Sequence, residues 1–283
     1  MLSDRYLVWG NPIAHSLSPR IHEIFANQRG ERIDYRRRGE GMDVATFISS
    51  FLNFFNNEGG KGSNITSPFK QVVYELIENR SEVCEIAQAC NTVIKRADGS
   101  LFAENTDGYG LSTDLKDLGW LGMNTRVLIL GAGGAVTGVL FHLLQEGAVV
   151  DIFNRTRARA QEVAKAFSKF GQVNAVNEYD FNEYDLVINA VAYKQGDAGV
   201  NLRTTRVTNA YTKFYDMQYT ATGKTPFLAF VSDLGVENNI ANGLGMLVKQ
   251  AALSHYYWFG VLPDAKAALE QLRQELAEAA SGC

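Results

Sequence analysis

Lys70 closes the segment Asn64-Ile-Thr-Ser-Pro-Phe-Lys70, in which Ser67-Pro68 reads as the cap and first residue of a helix. A cation in a first turn opposes the helix dipole, which favours a lysine that exchanges its proton. Such a lysine suits reduction of a ketone, where charge develops on the carbonyl oxygen as hydride arrives and a proton donor must stand beside it. Asp107 starts its own helix after Asn105-Thr106 and is the candidate partner that would hold the ammonium in place. Spacing along the chain does not bring the two together, and Lys70 alone also reads as a surface lysine.

A hydride needs a carrier, and one segment offers a site for it. Gly131-Ala-Gly-Gly-Ala135 follows the apolar run Arg126-Val-Leu-Ile-Leu130 and precedes a helix from Val136 to Glu146. There, bare backbone N–H groups at a helix start can cradle a pyrophosphate. Strict GxGxxG spacing would put a small residue at Val136, and the same turn also serves as plain structure in other α/β proteins. An NAD site carries an acidic residue about 20 positions on. Asp151 has that spacing but lies inside the run Ala148-Val-Val-Asp-Ile-Phe153. Beyond it, Asn154-Arg-Thr-Arg-Ala-Arg159 offers three guanidinium groups and a hydroxyl, bidentate donors for an extra phosphate on the adenosine ribose. The segment favours NADP over NAD, with a solvated basic helix end as the plainer reading.

The other polar residues near strand ends suit a polyhydroxylated carboxylate. Ser16 and Ser18 offer hydroxyls for an anionic group, and Thr66, Asn91, Asn105 and Gln250 offer partners for ring hydroxyls. Each of them, taken singly, equally suits a cap or a turn.

The elements that must position these groups are legible as alternating strands and helices. Tyr6 to Gly10 reads as a strand and Asn11 to Ser18 as a loop at its end; Ser18 then caps a helix with Pro19 in its first turn. Gly59 to Gly62 leads into a second strand ending at Thr66, and Ala97-Asp-Gly99 turns a hairpin. From residue 126 to 189 the pattern is β-α-β-α-β with apolar strands, as in a parallel sheet covered on both faces. Helical patterns over 246–259 and 265–279 close the chain.

At 283 residues the chain accommodates two domains of about 150 residues each. A net charge of −4 argues against nucleic acid as a partner. Cys84, Cys90 and Cys283 build no disulfide framework, and His15, His22, His142 and His255 lack metal-ligand spacing, so no metal is expected. Without a secretory pattern or a run of about 18 apolar residues, the expectation is a soluble cytoplasmic protein with no membrane partner.

Read together, these segments resemble the shikimate dehydrogenase family. The resemblance rests on Gly10 to Pro19, Asn64 to Lys70, Ala89-Cys-Asn-Thr92, Asn105-Thr-Asp-Gly108, Gly131 to Ala135, Asn154-Arg-Thr156, Tyr215-Asp-Met-Gln-Tyr219 and Gly243-Leu-Gly-Met-Leu247, in family order over most of the chain. It implies NADP-dependent, reversible reduction of 3-dehydroshikimate to shikimate, a step toward chorismate and the aromatic amino acids. Lys70 and Asp107 would be the catalytic pair, with Ser16 and Ser18 on the substrate carboxylate and Thr66, Asn91, Tyr219 and Gln250 around its ring. Gly131, Ala132, Gly133, Gly134 and Ala135 would hold the pyrophosphate. Asn154, Arg155, Thr156 and Arg159 would take the adenosine end, and Met217 and Gly243 the nicotinamide side.

The implied fold is α/β with two domains. A discontinuous substrate domain (1–106 and 241–283) would surround a Rossmann-type NADP domain (107–240), with the active site in the cleft between them, in a monomer or homodimer. The chain departs from its relatives at Val191-Ala-Tyr-Lys194, where they carry Thr, Ser and Gly, and at Val136-Thr137, where a basic residue is common. Two other readings stay open. One is a broader-range enzyme acting on quinate or an aminoshikimate, against whose use of NAD Arg157 speaks. The other is a nucleotide- or shikimate-binding regulatory protein without catalysis, against which the Lys70 and Asp107 pair speaks.

Overall fold

The computed structural model describes residues 5–191, 207–220 and 222–281. The chain divides into two compact units, residues 1–110 with 247–272 and residues 111–246 with 273–283. The crossings fall at 110/111 and 246/247, where sequence reading put 106/107 and 240/241, and the last turns of the C-terminal helix go with the second unit.

The first unit runs β1 (Arg5–Trp9), α1 (Ser18–Gln28), β2 (Asp34–Arg38), α2 (Val44–Asn57), β3 (Gly60–Ile65), α3 (Lys70–Leu76), α4 (Glu82–Ala87), β4 (Thr92–Lys95), β5 (Leu101–Glu104) and the start of α5 (Asp107–Asp117). Its sheet has the order β2-β1-β3-β4-β5, parallel as far as β3 and antiparallel beyond. Because β1 has β2 on one side and β3 on the other, the loop after it opens at a switch point, where such sheets bind ligands. Alternation along β1 sends Leu7 and Trp9 into one cluster and Tyr6 and Val8 into another, hence its unbroken apolar run. Trp9 meets the edges of Phe47, Phe51 and Phe54 from α2. Burial of each such ring contributes about 2–3 kcal/mol.

Two expected caps are corrected. Ser18 is the first residue of α1 with Leu17 as its cap, and Lys70 is the first residue of α3 with Phe69 as its cap. Leu17 and Phe69 already have near-helical backbone angles and no side-chain cap bond, so both helices start without the serine cap that the local pattern suggests. Lys70 nonetheless stands at a helix start.

The second unit contributes β6 (Arg126–Leu130), α6 (Gly134–Gln145), β7 (Val149–Phe153), α7 (Arg157–Phe167), β8 (Val173–Val176), β9 (Leu186–Asn189), β10 (Lys213–Asp216), α8 (Pro226–Asp233) and β11 (Ile240–Asn242). The helices α9 (Leu244–Phe259) and α10 (Ala265–Ser281) follow, most of α9 belonging to the first unit. The sheet order is β11-β10-β9-β6-β7-β8 with every pair parallel. Read from β8, that is the Rossmann order 3-2-1-4-5-6, with the glycine segment leaving β6 where the order reverses. Leu128, Leu130 and Val187 pack with Phe214 and Phe227 on the sheet. Val136 is fully buried in α6, which accounts for an apolar residue there. Among the described residues no helix is long and apolar enough to cross a membrane.

Candidate active site and cofactor loop

In the first unit the chain meets itself around Asp107. Lys70 Nζ lies 2.5 Å from Asp107 Oδ2, and Asn91 Nδ2 lies 2.8 Å from Asp107 Oδ1. Both carboxylate oxygens are therefore engaged, one by a cation and one by a neutral amide. Asp107 is buried, while the Lys70 side chain keeps 29% of its exposure. Charge-assisted bonds of this kind are the strong ones in proteins.

The turn that presents Asp107 is fixed residue by residue. Asn105 Oδ1 accepts the Asp107 N–H at 3.1 Å, and Asn105 Nδ2 donates to the Ala89 carbonyl at 2.9 Å. Asn105 is thus spent on the turn rather than turned toward a ligand. Glu104 Oε1 accepts from the Asn105 N–H and from Ser81 Oγ, and its Oε2 accepts from Tyr257. Lys70 is tied in through its own carbonyl, which accepts the Cys90 N–H at 2.9 Å.

Asn91 is the hub. Its Oδ1 accepts the Thr106 N–H at 2.8 Å, which fixes the amide's orientation, and its amino group also lies 3.1 Å from Gln250 Oε1. Gln250 in turn donates to the Leu247 carbonyl. Lys70, Asp107, Asn91 and Gln250 are therefore gathered in one place. Ser16 and Ser18 sit in the loop after β1, joined Oγ to Oγ at 3.2 Å, and Arg37 donates twice to the Ser16 carbonyl. Ser18 also bonds Tyr35, whose phenol is pushed well up by burial. Thr66 follows β3, its N–H on the Trp9 carbonyl at 2.8 Å and its methyl against Gly10.

Sequence reasoning missed what lies behind this group. Asn64, Thr92, Ser254, Tyr35 and His22 form a buried hydrogen-bonded array running to Asn91. The available signal was a pair of polar residues, Ser63 and Asn64, in a strand whose neighbours are buried.

The remaining expected residues lie in the second unit. Gly131 has φ +113°, which an L side chain rarely adopts, and its N–H donates to the Phe153 carbonyl. Gly133 caps α6 without a side-chain bond, and a Cβ on Gly133 or Gly134 would meet nothing within 4 Å. Ala132 and Ala135 complete the loop at the helix start, with open space beside Gly133 and Gly134 and no side-chain cap on the helix N–H groups. That fits a pyrophosphate. Asn154 Nδ2 donates to the Thr156 carbonyl at 2.9 Å and shapes the turn after β7, leaving Arg155, Arg157 and Arg159 exposed. Among the described residues none of these three arginines makes an ion pair, whereas Asp151 is occupied by Tyr184 and Asn174. A free cluster of cations beside an engaged carboxylate fits the extra phosphate of NADP better than a bare ribose diol.

Met217 and Gly243 touch: a Cβ on Gly243 would stand 2.3 Å from the Met217 carbonyl, so only glycine fits. Just before Met217, Asp216 is fully buried, and burial raises its carboxyl despite bonds from Asn189 and the Gln218 N–H. Tyr219 is half-buried beyond the end of β10. At the departure point, the Val191 carbonyl accepts from Gln218 Nε2 at 2.6 Å; Ala192, Tyr193 and Lys194 lie outside the described residues.

Three family models match the chain: the shikimate dehydrogenase substrate binding domain over residues 8–93, shikimate / quinate 5-dehydrogenase over 119–210, and the shikimate 5'-dehydrogenase C-terminal domain over 243–273. The chain is 44% identical to a shikimate dehydrogenase (NADP(+)) from Pasteurella multocida, a match covering 95% of this chain and 98% of the relative. A namesake from Glaesserella parasuis is also 44% identical, over 96% of this chain and 99% of its own length. Among solved structures, shikimate 5-dehydrogenase from Thermus thermophilus in complex with NADP(H) and shikimate superposes with a TM-score of 0.79 at 28% identity, covering 98% of this chain and 100% of the other.

Proposed function

The chain belongs to the shikimate dehydrogenase family, and from that premise we propose that it reduces 3-dehydroshikimate to shikimate with NADPH, reversibly. The observation that carries the reading is the 2.5 Å contact between Lys70 Nζ and Asp107 Oδ2 at the start of two helices. Bound NADPH supplies the hydride to C3. Lys70 donates a proton to the C3 oxygen as negative charge gathers there, and Asp107 holds the ammonium and then the amine in place. Asn91 keeps Asp107 from rotating away; by resemblance to the family, Asn91, Gln250, Thr66 and Tyr219 would meet the ring hydroxyls. Ser16 and Ser18 take the carboxylate, helped by the positive charge of Arg37 behind the Ser16 carbonyl.

Gly131 to Ala135 would hold the pyrophosphate, and Asn154, Arg155, Thr156 and Arg159 the adenosine end with its phosphate. Met217 and Gly243 would flank the nicotinamide. The free, buried thiols of Cys84 and Cys90 fit a reducing compartment, the cytoplasm.

The test follows NADPH and NADH oxidation with 3-dehydroshikimate in the parent and in Lys70→Ala. The expected outcome is a clear preference for NADPH and a loss of about 10³-fold in kcat in the variant, with shikimate binding retained. An unaffected variant would remove Lys70 from the mechanism. A parent that binds NADP yet turns over neither cofactor would favour the regulatory reading.

A further inference from the structure

Behind Asn91 the hydrogen bonds can be given directions from groups whose roles are fixed. The Asn91 carbonyl only accepts, and it lies 3.2 Å from one end of the Asn64 side chain. That end is therefore the amino group, which also reaches Ser254 Oγ at 3.0 Å and Thr92 Oγ1 at 3.2 Å. The other end is Oδ1, an acceptor, and it faces Tyr35 Oη at 2.8 Å and His22 Nε2 at 3.2 Å. His22 must then carry its proton on Nε2. Its Nδ1 lies 3.3 Å from His255 Nδ1, and with a lone pair on the His22 side the proton between them belongs to His255. Both rings are buried, which holds both well below the usual histidine range, His255 at about 4 with the Arg29 charge adding to the effect.

The same logic continues forward. The Thr106 N–H fixes Asn91 Oδ1 as an acceptor, so the Thr92 hydroxyl at 2.9 Å donates to it. The Asn91 amino group then donates to Asp107 at 2.8 Å. From His255 through His22, Asn64, Thr92 and Asn91, every link donates toward Asp107. Bonds aligned head to tail polarise one another, and here their positive ends all point at the carboxylate that holds Lys70.

We infer that His22 is a positioning residue for the reaction, set by His255 as the Nε2–H tautomer and holding Asn64 so that the chain of donors ends on Asp107. The inference rests on the proton-transfer role of Lys70 and Asp107 proposed above. It predicts that the hydrogen-bonding proton of His22, rather than its bulk, is what catalysis uses. His22→Leu removes that donor from Asn64, and His22→Gln restores an N–H near the Nε2 position.

The experiment measures steady-state kinetics of both variants with shikimate and NADP, alongside nitrogen-15 spectra of histidine-labelled parent. The expected result is a kcat about tenfold lower in His22→Leu, a KM for shikimate within about twofold of the parent, and recovery of most of kcat in His22→Gln. The spectra should show one buried Nε2–H and one buried Nδ1–H histidine, each assigned by its loss in the His22 or His255→Gln variant. A proton on Nδ1 of His22 overturns the inference even if His22→Leu fails to fold. So does a folded His22→Leu with unchanged kcat, or one in which only KM rises. A parent inactive with both substrates but carrying the stated tautomers would instead defeat the proposed function.

Discussion

Around Asp107 the protein satisfies its own polar groups, whereas along Gly131–Ala135 and Asn154–Arg159 it leaves donors over. The carboxylate takes Lys70 on one oxygen and Asn91 on the other, and Asn91 is in turn held by Thr106 and Thr92. In the second unit, α6 begins on an uncapped glycine, and Arg155, Arg157 and Arg159 are exposed without ion pairs among the described residues. The contrast fits the roles proposed for the two regions. A proton-transfer pair works only in a fixed geometry, so its orientation is settled before substrate arrives. A phosphate site supplies charge and N–H groups that the ligand itself completes, so pairing them internally would compete with binding.

If that contrast holds, changes in the two regions should fail differently. Asp107→Asn keeps shape and the Asn91 contact but removes the charge that holds the ammonium, so kcat should fall about 10²-fold while the KM for NADPH stays near its parent value. A similar loss in KM and none in kcat, read from initial rates, would place Asp107 among binding residues. Replacing Arg155 and Arg159 together by Ala should do the reverse. Each charged bond to phosphate contributes about 1.5–3 kcal/mol, so loss of the two should raise the KM for NADPH about 10²-fold or more with kcat nearly unchanged. NADH, lacking the phosphate, should be indifferent to the change. A variant that loses both cofactors equally would mean that these arginines grip the pyrophosphate or the ribose.

The two regions also differ in how far they can be read from the sequence. The glycine loop is legible because strand, turn and helix are contiguous there, and the run 126–189 carries its period openly. Elements set by distant partners are not. β2, Asp-Tyr-Arg-Arg-Arg, is charged at every position but the buried Tyr35, and only its pairing with β1 makes it a strand. The spacing of Phe47, Phe51, Phe54 and Phe55 behind the Asp43 cap was a usable signal for α2. Lys70 and Asp107 stand out only singly, since 37 residues separate them and two helices (α3, α4) and two strands (β4, β5) must fold to close that distance. Ser18 and Ser67 carry a misleading cap signal because the cap-and-proline pattern is local, while Leu17 and Phe69 are turned helical by the loops they end. The histidines at 22 and 255 look scattered for the same reason; they are 233 residues apart in sequence and 3.3 Å apart in space.

The smallest expected effect tests the internal satisfaction of the first unit through its response to acid. His22 and His255 are held neutral by burial, with folded values below the ordinary 6.5, and His255 at about 4. Between those values the unfolded chain binds more protons than the folded one, so stability rises with pH across the window and is lost as pH falls from about 6.5 toward 4. One unit of displacement corresponds to about 1.4 kcal/mol, so the loss should be on the order of 2 kcal/mol or more. Trp258 packs against His22 at 5.0 Å and, with Trp9, reports on the first unit once Trp120 is replaced by Phe. Urea midpoints of that variant should fall steadily over the window, and His255→Gln should flatten the fall in part. A midpoint that stays level from pH 6.5 to 4.5 would mean that the two rings already titrate normally in the folded protein, and with that the ordered neutral array behind Asp107 would lose its basis.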